Sequence, residues 1–86
     1  MPAFRFTKKA FKRFSALDPS IRKRLEEKLQ LFMKEDALPA HIHVLHDMQP
    51  ATHRLQIGTY RFILEYVSSE EYLVLDVGHR KDIYRK

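Results

Sequence analysis

Three stretches in which apolar and polar residues alternate, HRLQI, YRFILEYV and YLVLDV, follow one another between His53 and Val77, separated by Gly-Thr and by a polar SSEE. Alternation with period two sends successive side chains to opposite sides of a sheet, so each stretch is expected to be a strand with one buried face. A two-residue Gly-Thr connection closes a tight hairpin, and SSEE with Glu70 and Glu71 makes a second polar turn, so the C-terminal half is a β-meander. Its expected inward set is Leu55 and Ile57, then Tyr60, Phe62, Leu64 and Tyr66, then Leu73, Leu75 and Val77. Arg54, Gln56, Arg61 and Glu65 are expected on the opposite face, joined by Arg80 if the last alternation runs through Gly78; a bulge at that glycine would reverse the last assignment. Gly78 itself is expected to end the buried strand and let the chain turn.

The N-terminal half changes period. Phe4 and Phe6 alternate with Arg5 as in a short strand. From Thr7, a suitable N-cap, Phe11, Phe14 and Leu17 recur at helical spacing, with Lys8, Lys9, Lys12 and Arg13 on the other side. A second helix is expected over about residues 19–35: Asp18 can cap it, Pro19 suits its first position, and Ile21, Leu25, Leu29 and Phe32 form its apolar stripe. Arg22 with Glu26 and Lys23 with Glu27 stand four apart on its outer side. A helical hairpin cannot bury two stripes by itself, so it needs the meander as a floor. The expected fold class is α+β, with the two N-terminal helices packed on one face of a small, mainly antiparallel β-sheet.

Eighty-six residues make one domain, 1–86, with little room for a deep cavity. Sixteen Lys and Arg against eleven Asp and Glu, a formal charge of +5, favour a polyanionic partner such as nucleic acid. The absence of cysteine removes disulfides and thiol nucleophiles and fits a reducing cytoplasm. The opening residues hold no uninterrupted apolar run, so neither a signal peptide nor a membrane span is expected. His41, His43, His46 and Asp47 in HIHVLHD are compatible with a transition metal, but spacing alone does not build a tetrahedral site. A histidine-rich connection is the simpler reading, and no metal or cofactor is expected.

Arginine suits phosphate because its planar fork offers two parallel hydrogen bonds and its charge is permanent. Arg54, Arg61 and Arg80, drawn from three strands onto one face, make that face the candidate site. Tyr84, flanked by cations in HRKDIYRK, is a stacking platform for an unpaired base or a residue packed on the sheet edge. His53 and His79 fall by parity on the helix side, which leaves His79 only a weak candidate as a base.

Two segments, HRLQIGTYRFILEY (His53 to Tyr66) and VGHRKDIYR (Val77 to Arg85), preceded by two basic helices, resemble the RelE/ParE superfamily of bacterial and archaeal toxins. The resemblance spans the whole chain in element order, favours the RelE-like branch and implies the RelE-like fold. It implies a ribosome-dependent mRNA endoribonuclease in which a ribose 2′-hydroxyl attacks the adjacent phosphodiester without a metal. Arg54, Arg61, Arg80 and Tyr84 match the family's catalytic positions. Gln56 stands where ribosome-dependent members often carry a lysine, and an amide cannot abstract a proton, which implies a slower enzyme or a different base. The spacing from Arg80 to Tyr84 is also shorter than in well-known members.

The implied partners are a cognate antitoxin, the ribosome and its mRNA, and operator DNA only through the antitoxin complex, with no membrane. Lys8, Lys9, Lys12, Arg13, Lys81 and Arg85 are the expected RNA-binding cations, since residues 1 to 36 hold ten cations against five acids. The same fold also serves ParE-like inhibition of DNA gyrase, or a catalytically weak homologue that binds antitoxin and regulates transcription.

Overall fold

The computed structural model describes residues 3–34, 42–46, 50–68 and 71–83, and the structural statements that follow concern these. Tyr84 and Arg85, like His41, Asp47 and Glu70, lie outside them. Along the chain run β1 (Ala3–Phe6), α1 (Lys8–Ser15), α2 (Pro19–Lys34), β2 (Ile42–Val44), β3 (His53–Ile57), β4 (Tyr60–Ser68), β5 (Glu71–His79) and a short α3 (Arg80–Ile83). The strands form one sheet in the order β1-β5-β4-β3-β2. β1 runs parallel to β5, and the other neighbours are antiparallel. Because β1 and β2 occupy opposite edges, the chain between them must cross the sheet, and α1 and α2 do so on one face. Ala10, Phe14, Leu25 and Leu29 there meet Leu55, Ile57, Phe62, Leu64, Val74 and Val77 in a single buried cluster.

Thr7 caps α1 as expected, its Oγ1 accepting from the Ala10 amide at 3.1 Å. The apolar stripe is rotated from the expected one. Ala10, Phe14 and Leu17 face the core, while Phe11 is 62% exposed. Phe11 lies on the flank of Phe14 away from Ala10, and Leu17, two residues past the end of α1, folds back onto the core. α2 spans 19–34, with Leu25 and Leu29 buried; the Phe32 side chain is outside the description. Arg22 donates to the Ser15 carbonyl at 2.9 Å, and no Arg22–Glu26 or Lys23–Glu27 ion pair forms among the described residues.

Asp18 opens α2 by accepting from the Ser20 hydroxyl at 2.6 Å and the Ser20 amide at 2.9 Å. These bonds favour the carboxylate and hold its pKa below the ordinary 3.8, the Ser20 hydroxyl being the largest cause. A lowered folded-state pKa contributes stability above the unfolded value that is lost as pH falls through the folded one. Thermal melts between pH 7 and pH 2.5 should therefore show a smaller acid-side loss for Asp18→Ala than for the wild type, and equal losses would contradict the cap.

The expected inward set needs one correction in β5. Ile63 pairs with Asp76 but Leu64 pairs with Val74, so Leu75 is an extra, unpaired residue. This bulge brings Tyr72 and Val74, in place of Leu73 and Leu75, to the helices, and Leu75 joins Ile63 on the far face. The reason is spacing: Val74 and Val77, three apart, cannot share one face of a regular strand. Tyr66 keeps its side but lies 46% exposed against His53 and Tyr72. The histidine-rich segment, expected as a connection, supplies the edge strand β2, whose Ile42 packs on the main core.

Candidate functional site

Cross-strand register decides which side chains share the face away from α1 and α2. Gln56, Arg61 and Gly78 lie in one row across β3, β4 and β5. His43, Arg54, Ile63 and Asp76 lie in the next, across β2 to β5. Arg54 and Arg61 are thus diagonal neighbours, roughly 7 Å apart. Parity placed both correctly, together with Gln56. Residue His43, opposite Arg54 and exposed, was missed as a member of this face, because only the pairing of β2 with β3 brings it there.

The face is not uncovered, contrary to expectation. Ile63 and Leu75 are apolar, and they recruit Ile83 of α3 with Ala51 and Leu45 into a second, smaller cluster. Arg61 is consequently only 8% exposed. Its Nη1 donates to the Gly58 carbonyl at 3.0 Å and the Tyr60 carbonyl at 3.2 Å, while its Nε is buried without a partner. Among the described residues no carboxylate pairs with it; Asp76, in the neighbouring row, is engaged by Arg13 at 2.9 Å and Lys9 at 3.7 Å. A buried cation with an unused donor is costly and calls for an anion.

Arg80 requires a correction. It does not extend the third strand, which ends at His79; it opens α3 and is exposed. Its amide donates to the Thr59 carbonyl at 2.7 Å. Three consecutive carbonyls of the hairpin turn, those of residues 58, 59 and 60, therefore hold the Arg61 guanidinium and the Arg80 backbone together. The turn has Gly58 at φ 60° in its first central position, a conformation that favours glycine. Gly78 is not the turn residue it was expected to be. It lies buried inside β5 opposite Arg61, where an added Cβ would touch Arg13 Nη2 and Ile83 Cδ1 at 3.5 Å each.

His79 lies on the helix side, as parity required, with its ring edge-on to Tyr60 at 5.6 Å. His53 likewise packs with Tyr66 and Tyr72. In that cluster burial, then the Tyr66 phenol, pushes the Tyr72 hydroxyl above its usual 10.0. Of the expected RNA-binding cations, Lys8, Lys12 and Lys81 are exposed, whereas Lys9 and Arg13 serve Asp76. No three His, Asp or Glu side chains gather as metal ligands among the described residues. No helix among them is long and apolar enough to cross a membrane.

No protein-family model matches the chain, and no curated protein matches it by sequence. Solved structures do. The RelBE2 toxin–antitoxin complex from Mycobacterium tuberculosis contains a chain that is 24% identical with a TM-score of 0.74, the match covering 93% of this chain and 100% of that one. For the RelB–RelE complex from Methanococcus jannaschii the values are 24% and 0.66, over 93% and 94% of the two chains. The isolated E. coli RelE toxin gives 20% and 0.66, over 92% and 84%. These likenesses extend over nearly the full length of each partner, and the chain has the fold of the RelE toxins.

Proposed function

We propose that the protein is the toxin of a toxin–antitoxin pair and cuts ribosome-bound mRNA by attack of a ribose 2′-hydroxyl on the adjacent phosphodiester, without a metal. The observation that carries this reading is the buried Arg61, which has no carboxylate against it among the described residues and a buried Nε without a partner. In such a cleavage the nonbridging oxygens gain negative charge in the pentacovalent transition state. A preplaced cation in a dry site stabilises that charge more than the ground state, which is what accelerates a reaction. Arg61 is the clamp, Arg54 assists it from β3, and Arg80 meets the leaving 5′-oxygen as a fixed charge. Tyr84 follows α3 directly and would stack on the base or orient the nucleophile.

Gln56 cannot take the proton of the attacking hydroxyl, and His79 is turned to the other face. His43, across from Arg54, supplies an imidazole on the same side as the arginines. Exposed Lys8, Lys12 and Lys81 would hold ribosomal RNA through salt-sensitive phosphate contacts. The similar chains from M. tuberculosis, M. jannaschii and E. coli were solved with their antitoxins, and an acidic antitoxin would complement the +5 chain. Purified ribosomes programmed with a short mRNA provide the test. Cleavage at the A-site codon supports the proposal; intact mRNA, with gyrase supercoiling inhibited instead, would replace it with a ParE-like function.

A further inference from the structure

The junction between β5 and α3 contains a hydrogen bond that tolerates only one protonation state. The Lys81 amide donates to His79 Nδ1 at 3.1 Å, so that nitrogen must carry a lone pair and the neutral ring keeps its proton on Nε2. His79 thereby acts as the N-cap of α3, since a side-chain acceptor just before a helix satisfies the amide two residues on. One residue earlier in the helix, the Arg80 amide is held by Thr59. The edge-on contact with Tyr60, which is also the cross-strand partner of His79, fixes the ring plane.

We infer that His79 is a proton-sensitive positioning residue for Arg80. The neutral imidazole holds the first turn of α3, whose Arg80 amide is bonded to the Thr59 carbonyl, and so positions Arg80 at the turn whose neighbouring carbonyls hold Arg61. Proton uptake at Nδ1 turns the acceptor into a donor facing a donor and releases the junction. Histidine is the side chain that ordinarily makes this change between about pH 8 and pH 5.

The groups around the ring do not offset the change. His79 borders a cleft of about 260 Å³ whose charged lining is Arg13 from α1 and Asp82 from α3, with the Tyr60 phenol from β4. Arg13 is committed to Asp76, and Asp82 is exposed. Neither can restore an acceptor to the Lys81 amide at its present position without moving α3. His79 touches no substrate in this scheme, which rests on the reading of Arg80 as a phosphate contact.

Amide hydrogen exchange of the intact protein, resolved by NMR and expressed as protection over intrinsic exchange, tests the junction without any substrate. Protection at Lys81 should fall roughly fivefold in the wild type between pH 7.5 and pH 5.5, the equilibrium factor of one N-cap bond. It should stay level in His79→Asn, whose amide oxygen caps without titrating, and be low at both pH values in His79→Ala. Protection in the wild type that does not change with pH, or that survives in His79→Ala, overturns the inference. RNA cleavage over the same range should fall more steeply in the wild type than in His79→Asn, and equal falls would also overturn it. Absence of cleavage at every pH would sink the nuclease reading alone, because Lys81 protection still decides the junction.

Discussion

Replacing Arg61 with methionine is expected to cut RNA cleavage by about 10²- to 10³-fold while leaving the protein no less stable than the wild type. On the proposed mechanism the first half follows from removing the charge that would meet the phosphorane, a loss of about 3 to 4 kcal/mol of transition-state stabilisation. The second half follows from what Arg61 costs when the site is empty. The residue is 8% exposed, and its guanidinium has a buried, unpartnered Nε and faces no carboxylate among the described residues. Methionine loses two bonds to carbonyls, but the Gly58 peptide is exposed and water can replace a donor there. It removes the desolvated charge in exchange, and apolar replacements of buried charges are often neutral or stabilising. Cleavage on programmed ribosomes and urea denaturation followed by circular dichroism measure the two halves. A midpoint well below the wild type would make Arg61 a structural residue and weaken the case for its catalytic role. Arg61→Lys, which keeps the charge but loses the fork, should fall between the two.

Phe62→Ala should remove most of the stability of the fold. Phe62 has no exposed surface, lies on the central strand β4 and meets the Phe14 ring at a centroid distance of 6.2 Å, so it ties α1 to the middle of the sheet. Truncating a phenylalanine in such a position costs about 3 to 5 kcal/mol in lost transfer free energy and cavity formation. A domain of 86 residues has a total stability toward the lower end of about 5 to 15 kcal/mol. The two quantities are comparable, and the change in urea midpoint is the measurement. A shift equivalent to less than about 1 kcal/mol would show that the core collapses around the gap.

The helix and strand periods were legible because they repeat locally: Thr7 and Asp18 cap as their types dictate, and Arg54, Gln56 and Arg61 share the face that parity assigns. What was not legible involved competition between residues distant in sequence. Phe11 is as apolar as its neighbours, and only the orientation of α1 on the sheet leaves it outside while Ala10 and Phe14 are buried. The histidine-rich segment became a strand because the edge of β3 offered unpaired backbone groups, a partner more than eight residues away.

By itself the sequence determined the layers: alternation built the meander, helical spacing built the two amphipathic helices, and the only compact way to bury both is face to face. It also determined that arginines would gather on the opposite side. Tertiary structure alone decided how that side is used. The Leu75 bulge turned an apolar residue outward, Ile83 closed over it, and the same cover sank Arg61 out of water. Burial of a charge depends on what the rest of the chain places above it, and the letters around Arg61 carry no record of that.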